Sequence, residues 1–528
     1  MQTTQSYHNA NLPGSWDAIV IGSGIGGLTP AAFLAREGQR VLVLERHSIA
    51  GGCTQVISRN GYEWDIGLHY VGQVQRPGSS LKRIINHITD KKLQWAPMPD
   101  VYNRIVVGDR SYEHVAGVER FKERIKGYFP SEGKAIDTYM DLVTRVTKLS
   151  RNFFAERALP EEIGEPLYNE MSLPFREYSD QTALEVLKKL TDNDELIAVL
   201  CGNCGDYVST PGRVSFAMQA MLTHHYIDGA SYPVGGSGRF VETIGNVIKS
   251  SGGKIIVDAE VASILIKNEK ACGVVMKDGR ELLAPVVISD AGVRNTMLRM
   301  MPEEICMATN LVDHCRDLEL SHSYVVLNIG IRESNKTLML NPANTWVHPS
   351  ADIDRDVAVY EKDPENTPLP LHFISIPSVK DPSWEDRFPD RTTIDICSLT
   401  TWSLFKPYAG TQRGKRGKEY ENLKQRLSQE MLSQVLRFYP NLEGKIDYME
   451  LSTPLTFNHY LGREQGEIMS IAHTPKRYQQ RWLRAASPVR NLFFTGQDIA
   501  SGGISGAIGG GVMAASSVLG KNVVVDIK

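Results

Sequence analysis

Residues Asp17-Ala-Ile-Val-Ile-Gly-Ser-Gly-Ile-Gly-Gly-Leu28 read as a buried apolar strand that turns through glycines into a helix. Such a unit aims backbone N–H groups and the positive end of a helix at one point, where a dinucleotide's pyrophosphate is received. Gly22 makes the tight turn, Gly24 leaves room for phosphates to approach the backbone, and Gly27 lets the helix pack close to the strand. Ser23 and Gly26 complete the expected contact set of this turn. A second apolar strand, Arg40-Val-Leu-Val-Leu44, ends at Glu45, eighteen residues after Gly27. A carboxylate there accepts hydrogen bonds from ribose hydroxyls and favours an unphosphorylated ribose. Pro30 falls at or just past the first helical turn, where it predicts at most a slight kink.

The choice between flavin and nicotinamide rests on the next segment. Arg46 is followed by Gly51-Gly52-Cys53-Thr54. A Gly-Gly pair shortly after the ribose acid resembles the continuation in FAD enzymes of the amine oxidase and phytoene desaturase superfamily. The C-terminal region supplies a partner: Asn491-Leu-Phe-Phe-Thr-Gly496-Gln-Asp498 reads as a strand ending in Gly and an acid. Ser501-Gly-Gly-Ile504-Ser505-Gly-Ala507 then opens a small-residue helix. The positive end of such a helix suits the flavin N1 and C2 carbonyl, which carry negative charge in the reduced state. Both ends of the chain are therefore expected to build one FAD site.

Gly51-Gly-Cys-Thr, Tyr62-Glu-Trp-Asp-Ile-Gly-Leu-His-Tyr-Val-Gly72, Tyr232-Pro-Val-Gly-Gly236, Ala271-Cys-Gly-Val, Ile288-Ser-Asp-Ala-Gly292, Ser452-Thr-Pro-Leu-Thr456 and Thr495-Gly-Gln-Asp498 occur in that order. This series resembles the retinol saturase, carotenoid isomerase and phytoene desaturase group over most of the chain, and the saturase branch in particular. The regions 111–206 and 331–448 match weakly, and they are expected to shape the substrate cavity. The resemblance implies an α/β fold: a Rossmann-type FAD-binding domain interleaved with an α+β substrate domain. It divides the chain into a first FAD-binding segment (15–75), a helical substrate cap (76–230), a second FAD-binding segment (231–300), a second substrate segment (301–455) and a third FAD-binding segment (456–528). It also places Val261 against the adenine by its main chain.

With 528 residues, a formal net charge of −3 and no low-complexity tract, the chain suits one large enzyme and offers no electrostatic case for nucleic acid. The polar stretch Met1–Gly14 reads as disordered and lacks a secretory signal. No apolar run reaches the roughly 20 residues of a membrane span. The expected location is therefore cytoplasmic, with membrane contact, if any, peripheral. The seven cysteines are scattered and make no disulfide framework. Cys201-Gly-Asn-Cys204 could form a flavin-linked redox pair. That reading needs a second dinucleotide fold, and the only candidate, Val234-Gly-Gly-Ser-Gly-Arg-Phe240, lacks the strand and the third glycine; packing cysteines are favoured. No grouping has metal-ligand spacing. The basic run Gln412-Arg-Gly-Lys-Arg-Gly-Lys418 reads as an exposed loop, with partner or membrane contact as the alternative.

The resemblance implies reduction of a C=C bond in a hydrophobic polyene or isoprenoid, with desaturation and cis-trans isomerisation as alternatives on the same cofactor. A flavin-disulfide oxidoreductase and a non-catalytic polyene carrier are weaker readings. Reduction needs a proton donor beside the carbon that receives hydride. His69 and Tyr70 follow Asp65-Ile-Gly67, which in this family runs beside the flavin ring, and either could serve. Tyr460, after Ser452-Thr-Pro-Leu-Thr456, is a third candidate, and His224-His225 are weaker ones. With no second Rossmann unit, electrons are expected from a separate donor.

Overall fold

The computed structural model describes residues 3–308 and 311–527, without the side chains of 306–310. One layer, built from both ends and the middle of the chain, is a six-stranded parallel sheet. The strand order is Thr4–Ser6, Lys254–Val257, Val41–Leu44, Ala18–Ile21, Val287–Ser289, Leu492–Phe494. Three of these strands, Ala18–Ile21, Val41–Leu44 and Val287–Ser289, are buried along their whole length, as a sheet covered on both faces requires. The helices Ile25–Arg36, Gly238–Ser250 and Gly503–Leu519 pack against it. An antiparallel meander, Val261–Lys267, Lys270–Met276 and Glu281–Leu283, lies on the connection to Val287–Ser289.

The first strand corrects an expectation. Thr4–Ser6 is ordered, pairing in parallel with Ile255–Val257, while Ser6 Oγ donates to Asp258 Oδ2 at 2.8 Å. Main-chain hydrogen bonds hold this edge, so polar side chains gave no hint of it.

The second layer is a seven-stranded mixed sheet ordered Ile446–Ser452, Ser323–Ile331, Thr392–Thr400, His372–Ser375, Asn344–His348, Val101–Val107, Arg110–Val115. Its pairings are antiparallel except that between Asn344–His348 and Val101–Val107. The last two strands come from the stretch 76–230, which helical spacing alone assigned to helices. They form a hairpin turned at Gly108, φ +61°, with Asn103 and Arg104 interrupting the apolar alternation. The helices Gly133–Arg157 and Phe216–Tyr226 close the space between the two layers. Among the described residues, no helix is long and apolar enough to cross a membrane.

Pro30 lies inside the helix Ile25–Arg36 and leaves the Gly26 carbonyl without its helical donor. Thr495 Oγ1, arriving from the C-terminal strand, donates to that carbonyl at 2.8 Å. The irregularity in the first helix is thus used to fasten the two ends of the chain together.

Candidate active site

Two connected spaces lie between the layers. The first, a cleft of about 470 Å³, runs along the C-terminal ends of the parallel strands. Gly22 turns the chain at φ +96°. Glu45 fastens that turn: Oε2 accepts from Ser23 N–H at 3.0 Å and Ser23 Oγ at 2.7 Å, and Oε1 accepts from His47 N–H at 2.8 Å. Ser23 Oγ also accepts from Gly51 N–H at 3.0 Å, tying the glycine turn to the Gly-Gly segment. Gly51 and Gly52 both need positive φ, and a Cβ at Gly52 would stand 3.0 Å from the Gly24 Cα. Only glycine lets these backbones approach so closely.

Asp290 is a cleft residue that sequence reading passed over, although it sits inside the motif Ile288-Ser-Asp-Ala-Gly292. A Cβ on Gly24 would lie 2.5 Å from its Oδ2, and one on Gly26 or Gly496 would collide with Oδ1. Burial pushes its carboxyl up to about 7, while the Gly27 N–H and Arg463 pull it back. Arg299 and Arg463 also line the cleft and were not foreseen. Arg463 Nε is buried with no hydrogen-bond partner. Their signal was hidden because single arginines, one in the short helix Thr296–Met300 and one on a loop, carry no spacing. A glycine cradle at a helix N-terminus, three arginines counting Arg46, and an unpartnered buried guanidinium N–H fit a dinucleotide with a doubly charged pyrophosphate.

The second space is a cavity of about 1070 Å³ with a mainly apolar wall. Cys53, Gly67, Ile468, Met469, Gly503 and Ile504 line both spaces and mark where they meet. His69 and Tyr70 stand on the cavity wall just beyond that junction. Tyr70 stacks on Tyr226, ring centroids 4.2 Å apart at 7°, and its hydroxyl donates to Asp206 Oδ2 at 2.6 Å. Asp206 also lines the cavity. Burial pushes its carboxyl up to about 7 and the Tyr70 phenol well above its ordinary value. His69 is edge-on to Phe373, with Nε2 3.9 Å from Cys397 Sγ and Nδ1 3.8 Å from Asp395 Oδ2. Burial, assisted by Lys380, drives it down to about 3, so its ring is neutral.

Behind His69 lies a polar nest in which Asp65 and Tyr232 belong to segments already noted, while Asn344, Ser375, Lys380 and Asp395 had no local motif to announce them. Lys380 Nζ donates to the His69 carbonyl at 3.0 Å, Asn344 Oδ1 at 2.5 Å and Ser375 Oγ at 2.7 Å. Burial lowers its ammonium to about 7 and raises Asp395, on the facing strand, to about 8. Asp65 accepts from Tyr232, and from Ser237 N–H at 3.0 Å and Oγ at 2.6 Å. These residues come from four distant regions of the chain and meet only in the folded protein.

The remaining expected residues separate. Arg46, Thr54, Val261 and Ala507 line the cleft, Ser505 lines the cavity, and Asp498 lines neither. Asp498 instead accepts from Val293 N–H at 2.8 Å and Ser470 Oγ at 3.2 Å. Tyr460 lies on the cleft, away from His69 and Tyr70, with its ring against His47 and its hydroxyl on Arg413. His225 Nε2 accepts from Gly72 N–H at 2.9 Å, and His224 meets Gln73 at the cavity wall. Cys201 and Cys204 are buried free thiols that back the cavity wall without lining it. The second glycine turn, Gly235-Gly236, does follow a short strand, Ala230–Pro233, but the Gly235 N–H donates to Asp381 and the Ser237 N–H to Asp65, two carboxylates of the protein itself.

The family described as an NAD(P)-binding Rossmann-like domain matches residues 20–88. The all-trans-retinol 13,14-reductase of Rattus norvegicus is 36% identical, over 99% of this chain and 89% of its own length. A chloroplastic prolycopene isomerase of Daucus carota is 27% identical, over 87% and 73%. Among solved structures, cyclohexylamine oxidase of Brevibacterium oxydans superposes with a TM-score of 0.61 at 14% identity, covering 97% of this chain and 99% of that one, a likeness of fold. On its identity to the retinol reductases over nearly its whole length, the chain belongs to the retinol saturase family, to which the carotenoid isomerases are related.

Proposed function

We propose that the protein is an FAD-dependent oxidoreductase that saturates a C=C bond of a retinoid, carotenoid or related hydrophobic polyene. The observation that carries this reading is the junction at Cys53, Gly67, Ile468, Met469, Gly503 and Ile504. A nucleotide lying along the glycine cradle would bring its ring there, at the inner end of a long apolar cavity. The similarity to retinol reductases supports a polyene in that cavity. Gly22, Ser23, Gly24, Gly51 and Gly52 would hold the pyrophosphate side, Arg46 and Arg463 would balance its charge, and the N-terminal turn of Gly503–Leu519 would face the ring.

Bound FAD, once reduced, supplies a hydride to carbon. What this chain's residues add is placement and a proton. Tyr226, Tyr70, Phe373 and Trp346 form an aromatic wall along which a flat polyene can lie. The Tyr70–Asp206 pair presents an exchangeable proton on that wall. Asp206, its carboxyl raised to about 7 by burial, is the proton store, and Tyr70 is the hydroxyl through which it can be passed. His69, neutral and edge-on to Phe373, fixes the wall and is a poor acid.

The test is anaerobic mixing of photoreduced, FAD-loaded enzyme with retinol, a carotenoid and a polyunsaturated acyl chain. Flavin reoxidation with a product two hydrogens heavier is the expected result. An isomerised product without net reoxidation would replace the reductase reading with an isomerase one, an outcome given weight by the similarity to prolycopene isomerases.

A further inference from the structure

The basic run that stood out in the sequence does not hang free of the site. Its loop folds over the rim of the nucleotide cleft: Arg413 donates to the Tyr460 hydroxyl and lies 5.1 Å above that ring. Arg46 reaches the same rim from the other side, donating to the carbonyls of His459 at 3.0 Å and Tyr460 at 3.3 Å. Arg416 is fastened by the Tyr408 and Thr411 carbonyls. The hydrogen bonds of all three go to carbonyl and hydroxyl oxygens, and among the described residues none of them, nor Lys415 or Lys418, forms a salt bridge. His459 is held below its ordinary value by burial and then by Arg413, Arg46, Arg416 and His47, so these cations crowd one spot. Ile49, 47% exposed, lies two residues beyond His47, whose ring meets Tyr460 edge-on, so an apolar side chain and aromatic rings adjoin the arginines. The chain as a whole carries −3, so this is a local concentration of charge.

Arginines and aromatic rings around an exposed apolar side chain are the make-up of a protein interface. Glu419 and Glu421, in the first turn of the helix that follows, are the acidic residues nearest the loop in sequence; Glu45, beside Arg46, is turned onto Ser23 and the His47 N–H, and Glu464 is paired with Arg294, so the loop and Arg46 keep an excess of positive charge. We propose that this rim is the docking surface for an acidic electron-carrier protein of the iron–sulfur or flavin type. The inference rests on the reductase reading and names the partner that reading requires. Each C=C bond saturated consumes a hydride and a proton, so two electrons and two protons must be returned per turnover. Two single-electron deliveries by the carrier supply the electrons, and water supplies the protons. A basic rim on the cofactor cleft, distinct from the cavity that admits the polyene, lets donor and substrate be bound together, and steers an acidic carrier to the cleft.

The experiment uses the full-length FAD-loaded protein, without polyene, and two acidic probes, a [2Fe–2S] ferredoxin and a flavodoxin. Binding is measured by calorimetry at low and high salt for the wild type and for the triple variant Arg413→Glu/Lys415→Glu/Arg416→Glu. The expected result is binding of at least one carrier at low salt, weakened at high salt, and at least tenfold weaker in the variant, whose FAD content is unchanged. Equal binding of wild type and variant, or no binding of either carrier, overturns the proposal. So does loss of FAD from the variant, which would make the loop a component of the cofactor site, or a loss confined to binding of anionic phosphatidylserine vesicles, which would make it a membrane contact. Because no polyene is present, these outcomes are separate from failure of chemically reduced enzyme to saturate a C=C bond.

Discussion

Burial holds the Asp206 carboxyl at about 7, close enough to neutrality for one side chain to keep and release a proton in the working range. Single-turnover reoxidation of prereduced enzyme is accordingly expected to slow as pH rises through about 7. Asp206→Asn should be slower by about 10² to 10⁴ and lose that pH dependence. Tyr70→Phe should be slow while FAD affinity stays unchanged, and His69→Gln should keep the wild-type pH profile because its ring is neutral throughout. A wild-type rate in Asp206→Asn would remove the pair from the mechanism. A second expectation concerns Asp395, whose carboxyl is raised to about 8 when folded. In the unfolded chain it ionises near 4, so between those values the unfolded state releases a proton that the native state keeps, and this group's contribution to stability falls as pH rises. Lys380, lowered to about 7, acts with the opposite sign above that pH, so the clean window lies below it. Asp395→Asn should therefore gain melting temperature on the wild type as pH goes from about 5 to about 7; a constant difference would contradict the assignment. His69 and Tyr70 were legible because a local motif carries them. Asp206 lies 136 residues from Tyr70, and the pairing exists only once the hairpin, the cap helices and the mixed sheet have met.

The strands and helices of the nucleotide layer were readable in order, because buried parallel strands announce themselves as short apolar runs and their helices by capping and glycine turns. Two kinds of element escaped: the Thr4–Ser6 edge, held by main-chain bonds, and the Val101–Val115 hairpin, whose polar residues break the alternation. The contact between the helices at the two chain ends was only half legible. The small-residue helix at the C-terminal end and the Pro30 irregularity in the first helix could both be read, but the partner of the carbonyl freed by Pro30 could not be named without the fold. Thr495→Val removes the hydroxyl that satisfies Gly26 and should cost about 1–3 kcal/mol, the penalty for a buried acceptor left alone. Gly511→Leu is expected to do more, since even a Cβ there would lie 2.5 Å from Thr29 Cβ. Chemical denaturation checks both, and a Thr495→Val protein as stable as wild type would show that the carbonyl finds another donor.

At the scale of the molecule, cofactor and fold should be linked. FAD that binds only the native state raises stability by about 2.7 kcal/mol at a free concentration a hundred times its dissociation constant. Stripped protein should melt earlier and recover on adding FAD. Gly24→Val should show neither the colour nor the recovery. Its side chain would strike Asp290 as well as fill the pyrophosphate space, so the defect should appear in the stripped protein too. Mixing oxidised enzyme with NADPH should leave the flavin spectrum unchanged for many seconds, since the N–H groups of Gly235 and Ser237 at the second glycine turn already hold Asp381 and Asp65 where a phosphate would have to sit.

The strand order of the nucleotide sheet also has a meaning in time. Val287–Ser289 pairs on one side with Ala18–Ile21, and on the other with Leu492–Phe494, made some two hundred residues later. At 5–20 residues per second, a nascent chain carries that apolar strand with one open edge for roughly 10–40 s. For that interval the nucleotide layer is a template for pairing with any neighbouring chain. Ribosome-bound chains stopped before residue 490 should therefore be clients of holding chaperones and should bind no FAD, whereas the released full-length chain should need neither help nor delay to take it up.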